Sequence, residues 1–596
     1  MATSDPRGEN RPDLQIKIGG PAGFGIKAAG QTLARSFMHA GLSTFDLTEY
    51  PSLIKGGHNA YQVRVSPESE VLSQVEPVDI LVALDRETAE RHVAELVEGG
   101  ALVYDADKTD VTGLFDPDHI CAVPVPLDKI VKDAGGVAIM RNVAALGAVA
   151  GLAKFPLEYL TDSLKAQFAK KAPEIGEKNV VVATKGYEFG SDAKCAFPFR
   201  LSAVKGAPER LLVDGNEAIG LGALAAGIGV YCAYPMTPAS SLLSFMAAHD
   251  REHGMVVKHT EDEIAAMNMV VGAAFGGARA MCATSGGWFS LMVEAFGLAG
   301  VSESAVVVGL FTRPGPATGL PTWTEQSDLR FALHAAQGEF PRVILAPGDR
   351  TQAFELTWKA FNLADQLQTP VIILGDTYLS DNRTSIPMYD LKAVTVDRGE
   401  IVVEGDMAKH PKALSEDGSY LRYKVTDDGV SVRALPGVTG ACQIVNSYEH
   451  DEYGYGAQGE TIANRVAQHE KRMRKLELAA KLAPPPIEWG SRTPEISVLC
   501  FGTTVQPLRQ AMAWLKRDGV KVRAMQVVTL WPFPTKAVST FISHAKKTMV
   551  IEGNYAGQLE GMVRAQCLLG VDHRLHRYDG RPFSPEQVYA TLKEVL

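Results

Sequence analysis

A chain of 596 residues, 46% hydrophobic and 21% charged, has ordinary globular composition and is too long for one core, so three or four domains are expected. The formal charge of −10 is mild for this length, and no concentrated basic stripe is available to neutralise phosphates, which argues against nucleic acid as the main partner. No uninterrupted apolar run reaches the roughly 18–20 residues of a membrane span, and the polar opening MATSDPRGENRPD does not read as a signal peptide, so a cytoplasmic protein is expected.

The first block, about 13–200, opens DLQIKIGGPAGFGIKAAGQTLARSFMHAG, a strand, a glycine turn and a helix. HNAYQVRVS, VDILVALD, GALVYDA, ICAVPVP and NVVVATKG read as further strands with helices between them, which predicts a parallel α/β sheet. Gly20, Gly23 and Gly25 depart from the G-x-G-x-x-G dinucleotide fingerprint. Two readings stand open for them: a phosphate-bearing ligand on a helix N-terminus, or a tight turn that needs small residues. Lys55-Gly56-Gly57-His58 likewise reads as a loop touching an anion or as a glycine hairpin entering a strand.

The second block, about 208–381, alternates GIGVYCA, VVKHT, RAMCATS, SAVVVGLF, PRVILAP and PVIILGD with helices, again α/β. Its first strand runs into Tyr234-Pro235-Met236-Thr237-Pro238, where two prolines three apart forbid both a helix and a strand ladder and leave a lone hydroxyl between rigid residues. Thr260 and Glu263 fit a capping box, the plain structural reading of Glu263. The helix beyond it carries almost no charge, so apolar packing should desolvate the Glu263 carboxyl and raise its pKa, fitting it to share a proton with a ligand nitrogen. Ser285-Gly286-Gly287 follows a strand and opens a helix, and Arg313 stands alone in a Gly/Pro-rich loop, suited to a carboxylate or phosphate. Taken singly, each is a turn or a surface residue. Loops after consecutive strands of one α/β sheet converge on one edge, and that convergence makes a site.

Residues 382–490 read as an extension and linker ending in Pro484-Pro485-Pro486. SYEHDEYGYG is expected to be a solvated loop, since the adjacent His450, Asp451 and Glu452 diverge too much to ligate one metal, and HEKRMRKLELAAKL a solvated helix face. The last block, 493–596, opens with a βαβ unit and continues with KTMVIEGN. The seven cysteines are scattered, none in a C-x-x-C pair, which argues against a local zinc site or a ferredoxin-type iron–sulfur run.

These motifs resemble the α subunit of 2-oxoacid:ferredoxin oxidoreductases with a γ domain fused ahead of it, most like the 2-oxoglutarate branch. The resemblance rests on GGPAGFGIKAAG, YPSLIKGGHNAYQVR, YPMTPAS, EDEIAAMNMVVGAAFGGARAMCATSGG, RPGPATGLPTWTEQSDL, EHDEYG, CFGTT and LWPFP, in that order over nearly the whole chain. Met236 stands where the YPITP-type motif has isoleucine. The resemblance implies a multidomain α/β protein: a γ-like domain at 13–200, a pyrimidine-type thiamine diphosphate domain at 208–381, the extension at 382–490 and a transketolase C-terminal-like domain at 493–596.

It further implies that a 2-oxoacid is decarboxylated on thiamine diphosphate, with electrons passed to ferredoxin and the acyl group to coenzyme A, or the reverse reaction as in a reductive TCA cycle. Glu263 would hydrogen-bond the aminopyrimidine, lined by Tyr234, Pro235, Ser285, Gly286 and Gly287. Thr237 and Arg313 would take the substrate carboxylate, with Thr318 nearby. Gly20, Gly23, Gly25 and Lys55 would contact coenzyme A. GDTYLSDN lacks the spacing of a GDG…NN motif. The resemblance therefore puts the diphosphate site, Mg²⁺ and a [4Fe–4S] cluster on a separate β subunit, in a dimer of αβ units. Pyruvate or a branched-chain 2-oxoacid is the alternative substrate, and a non-catalytic assembly subunit is the alternative of another class.

Overall fold

A computed structural model of the chain describes residues 6–8, 11–53, 56–67, 70–169 and 172–596; Lys55 lies outside them. The first sheet runs Cys121–Val125, Leu96–Asp105, Val78–Ala83, Leu14–Pro21, His58–Ser66, Ser43–Glu49, Thr384–Pro387, Arg210–Val213. Only the four strands from Cys121–Val125 to Leu14–Pro21 are mutually parallel. The other four pair antiparallel, so the expectation of a parallel sheet is corrected to a mixed one. The two outer strands come from beyond residue 208, so this sheet is completed by chain from the next blocks and its flank is covered.

NVVVATKG is not a strand. It lies within the helix Pro173–Ser191, packed on the helix Arg141–Leu152. A short apolar run cannot be assigned by periodicity alone. The deciding feature is tertiary: Gly147 and Gly151 face Gly186 and Gly190, and the two backbones touch. A Cβ on Gly186 would lie 1.9 Å from the Ala144 carbonyl oxygen, and one on Gly147 2.1 Å from that of Ala183. Gly186→Val should therefore force the helices apart and cost about 1–3 kcal/mol or more, lowering the thermal midpoint, whereas Gly272→Ala, in open space on helical backbone, should change it far less. Cys121 and Cys195 are brought together as a disulfide pair with Cα atoms 5.4 Å apart, which their separation of 74 residues did not announce.

The second sheet runs Thr529–Trp531, Val343–Leu345, Val371–Asp376, Val306–Thr312, Ala280–Thr284, Val230–Ala233, Val256–His259. All are parallel except the first, an antiparallel edge strand lent by the C-terminal block. Alternate residues feed different cores: Cys282, Val308 and Ile372 enter one, Met281, Val307 and Ile373 the other. Both faces are thus covered, as parallel strands of nearly continuous Val, Ile and Leu require. A third sheet of five strands, Ile487–Gly490, Val522–Gln526, Ile496–Cys500, Thr548–Glu552 and His573–His576, forms the C-terminal unit.

The extension carries two corrections. The helix Ile462–Leu482 is not simply a solvated face: Lys471 and Lys475 are fully buried and both bind Glu303, Lys471 at 2.6 Å. Arg472 pairs with Glu449 at 2.8 Å. His450 is likewise buried, its ring 3.8 Å from that of Tyr423 and its Nε2 3.1 Å from the Val301 carbonyl. The Asp451 carboxylate accepts from the backbone amides of Tyr453, Gly454 and Tyr455, which makes this loop a built corner. Among the described residues no helix is long and apolar enough to cross a membrane.

Candidate functional site

Four neighbouring parallel strands set the site: Val256–His259, Val230–Ala233, Ala280–Thr284 and Val306–Thr312. Each runs at its C-terminal end into one of the singled-out segments, respectively those with Glu263, Tyr234–Pro238, Ser285–Gly287 and Arg313. Ligands of open α/β sheets bind outside the carboxyl ends of the strands.

The proline segment is anchored from behind. Asn216 donates through Nδ2 to the Pro238 carbonyl at 2.7 Å and to the Ser241 hydroxyl at 2.7 Å. Tyr234 is half-buried, its ring edge-on to His259 at 6.1 Å, and Pro235 is exposed. Thr237 is half-buried, and its backbone carbonyl, not its hydroxyl, accepts from Arg313 Nη1 at 2.7 Å. The same Nη1 lies 3.8 Å from the Met236 sulfur, and the guanidinium carbon sits 4.5 Å over the Trp288 ring. Burial depresses the pKa of Arg313, and among the described residues no carboxylate pairs with it. A nearly buried guanidinium without an anion is a receptor for one.

Glu263 does not close a capping box. Asp262 is the N-cap, accepting from the Ala265 amide at 2.8 Å, while the Thr260 hydroxyl donates to the Asp262 carbonyl at 2.9 Å. Both residues can cap in principle, but the helix starts two positions later than the Thr260 spacing requires. Relieved of capping, Glu263 is only 2% exposed. Its Oε1 is buried without a hydrogen-bond partner. Burial raises its pKa, and the neighbouring Asp262 carboxylate adds to the rise. The helix behind it buries Ala266, Met267, Val270 and Ala274. The result is a carboxyl predisposed to hold a proton, with one oxygen lacking a partner, which fits a ligand nitrogen.

Between these lie Thr284 and Ser285, whose buried hydroxyls also lack partners. A Cβ on Gly286 would lie 2.0 Å from Asp328 Oδ2, so a side chain there would have to displace the Asp328 carboxylate. A Cβ on Gly287 would be 3.3 Å from the Ala317 carbonyl, which puts the tip of the Arg313 loop against the Ser285 loop. Thr318 is exposed on that tip. Trp288, Glu325 and Asp328 were missed as site neighbours. Burial pushes Asp328 up to about 6, and burial with the Asp328 charge pushes Glu325 up to about 7. The readable signal was the acidic pair within TEQSDL beside a Gly/Pro loop.

The glycine turn of the first block lies elsewhere. Gly23 and Gly25 have φ of 84° and 74°, and the Ala22 amide donates to the Gly57 carbonyl at 3.0 Å. A Cβ on Gly20 would meet Ile26 and Leu84 at 3.1 Å, so the turn has a packing reason for being small. The first block meets the second nearby, where the Thr322 hydroxyl donates to the Tyr50 carbonyl at 2.6 Å. No group of three or more His, Cys, Asp or Glu among the described residues could hold a metal ion.

Three family models match in succession. They are described as "Pyruvate ferredoxin/flavodoxin oxidoreductase" over residues 15–189, "Pyruvate flavodoxin/ferredoxin oxidoreductase, thiamine diP-bdg" over 221–471, and "Pyruvate:ferredoxin oxidoreductase core domain II" over 494–588. The chain is 32% identical to 2-oxoacid:ferredoxin oxidoreductase 2, subunit alpha, of Aeropyrum pernix, over 98% of both chains. It is 26% identical to the 2-oxoglutarate oxidoreductase subunit KorA of Mycobacterium tuberculosis, covering 99% of this chain and 93% of that one. Its fold is similar to that of a solved 2-oxoglutarate:ferredoxin oxidoreductase from Magnetococcus marinus with 2-oxoglutarate, coenzyme A and succinyl-CoA bound. There the TM-score is 0.89 and the identity 32%, over 98% of this chain and 100% of that one.

Proposed function

The chain belongs to the 2-oxoacid:ferredoxin oxidoreductase family as an α subunit, and from that premise we propose that it interconverts 2-oxoglutarate, coenzyme A and oxidised ferredoxin with succinyl-CoA, CO2 and reduced ferredoxin. The observation that carries this reading is a buried carboxyl at Glu263, its Oε1 without a hydrogen-bond partner, on the same sheet edge as a guanidinium without an anion at Arg313. The 2-oxoglutarate names among its relatives favour that substrate over pyruvate or a branched-chain 2-oxoacid.

The residues present fit thiamine diphosphate, since Glu263 Oε1 lacks a partner in a site that favours the protonated carboxyl. Glu263 would hold the aminopyrimidine, and Tyr234, Pro235, Ser285, Gly286 and Gly287 would line it. When bound, the cofactor supplies the carbon nucleophile for the 2-oxo carbon and the sink for the electrons released with CO2. Glu263 holds or yields a proton at its carboxyl oxygen as the ring nitrogen it faces changes basicity. Arg313 neutralises the substrate carboxylate while the Thr237 segment fixes its direction, with Thr318 at the rim. The prolines around Thr237 reduce the ordering cost of binding.

A β subunit would bring the diphosphate site, Mg²⁺ and a [4Fe–4S] cluster. In keeping with that, Asp376, the acidic residue of GDTYLSDN, already serves as a helix cap for Leu379 and an acceptor for the Thr503 hydroxyl. The γ-like block, with Gly20, Gly23, Gly25 and Lys55, would contact coenzyme A, in a dimer of αβ units working in the cytoplasm with ferredoxin. The domain limits 13–200, 208–381, 382–490 and 493–596 belong to the same proposal.

A substrate panel tests the reading. The native assembly should reduce a viologen with 2-oxoglutarate and coenzyme A, with kcat/KM at least about tenfold above that for pyruvate or a branched-chain 2-oxoacid, the discrimination that a second bound carboxylate can supply. Equal rates would leave the family and remove the substrate. No reduction with any 2-oxoacid would favour a non-catalytic assembly subunit.

A further inference from the structure

Arg313 is held on three sides, and the side formed by Trp288 has no role in the reading so far. Its guanidinium touches the Thr237 carbonyl at 2.7 Å, the Met236 sulfur at 3.8 Å and the face of the Trp288 indole at 4.5 Å. Met236 is the residue that departs from the expected isoleucine, and the departure places a polarisable sulfur on the arginine. Trp288 lies in the short helix Gly286–Phe289, directly after the glycines that Asp328 and Ala317 press against. Its backbone is therefore fixed while its side chain remains half-exposed. The neighbouring Phe289 is fully buried and carries the core packing of this helix, joining Phe296 and Phe331. Trp288 instead presents its ring face to the Arg313 cation.

We propose that Trp288, with Met236, is a positioning residue for substrate: the indole face and the thioether hold the Arg313 guanidinium plane in one orientation toward the substrate carboxylate. A free arginine side chain samples many rotamers, whose loss binding must otherwise overcome. A ring face and a carbonyl on two sides settle that orientation before the anion arrives. The indole also shields one side of the guanidinium from water, which strengthens its attraction for a carboxylate. The inference rests on the reading of Arg313 as the carboxylate receptor, and its test separates the two.

The test uses the native assembly and three variants, Trp288→Leu, Trp288→Phe and Arg313→Met. Steady-state constants for 2-oxoglutarate are measured together with its equilibrium binding by calorimetry without coenzyme A or electron acceptor. Trp288→Leu keeps apolar bulk and loses the π face; it should raise KM and Kd by about two- to thirtyfold, the range of a cation–π contact, with kcat within about twofold. Trp288→Phe should restore most of the affinity, and Arg313→Met should exceed the Trp288→Leu loss. If Arg313→Met weakens binding while Trp288→Leu does not, the positioning role is overturned and the carboxylate reading stands. If Arg313→Met leaves KM and Kd unchanged, the carboxylate reading falls and this inference with it. A fall in kcat alone, equal in Leu and Phe variants, also overturns it, because that is the signature of a structural disturbance.

Discussion

Glu263→Gln should lose at least about a hundredfold in turnover, within the range that a positioned acid–base group contributes, while the assembly stays folded and keeps binding 2-oxoglutarate. Glutamine preserves the shape and the hydrogen-bonding reach but cannot exchange a proton at that atom. The same substitution should not harm stability. Glu263 has a raised folded-state pKa, chiefly through burial. A carboxyl of that kind binds its proton more tightly folded than unfolded, so its ionisation costs stability as pH rises from the unfolded value of about 4.3 through the folded one. Glu263→Gln removes that cost, so its thermal midpoint relative to wild type should be higher at pH 8 than at pH 5. Near-normal turnover would reduce Glu263 to a helix-terminus residue. A large loss of stability at pH 8 would contradict the burial argument.

The second large effect concerns the clasp between the extension and the second sheet. Glu303, Lys471 and Lys475 are buried together, and the Arg422 guanidinium donates to the Glu303 carbonyl at 3.1 Å. Burial alone would raise the Glu303 carboxyl; Lys471, Lys475 and Arg422 outweigh it and hold the group far below the carboxylate range. Glu303→Gln leaves two buried ammonium groups without their counter-charge, which should cost about 3–5 kcal/mol. The urea midpoint of the unit containing residues 221–471 reports it. The triple variant Glu303→Leu, Lys471→Met, Lys475→Met should recover most of the loss, because a packed apolar group can replace a buried ion network at little cost. If the triple variant is no better than Glu303→Gln, the site acts through packing shape and not through charge.

How far the sequence spoke for itself differs by element. The strands of the second sheet were legible because they are buried on both faces and read as unbroken Val, Ile and Leu. NVVVATKG has the same composition and is a helix, since what fixes it is the contact of Gly186 and Gly190 with a segment some 40 residues earlier. The alternation of strands and helices could not reveal that the first sheet borrows Arg210–Val213 and Thr384–Pro387 from chain far downstream.

Within the site, the absence of charge after Glu263 announced an apolar setting, while the identity of the cap turned on a two-residue shift between Thr260 and Asp262. Lys471 and Lys475 read as a wet face because their partner, Glu303, is 168 and 172 residues away. In the sequence, the proline segment offers the Thr237 hydroxyl to a substrate carboxylate. The fold adds that the Thr237 carbonyl accepts from Arg313, a contact of backbone direction that residue types do not encode.

If Glu263 is a carboxyl kept ready to share a proton with the aminopyrimidine of thiamine diphosphate, cofactor binding changes its protonation. Calorimetric titration of the cofactor-depleted assembly with thiamine diphosphate, in two buffers of different ionisation enthalpy near pH 8, counts the protons exchanged. Net proton uptake on binding is expected in the wild type, absent in Glu263→Gln, together with weaker binding in the variant. Identical affinity and identical proton counts in both proteins would contradict it.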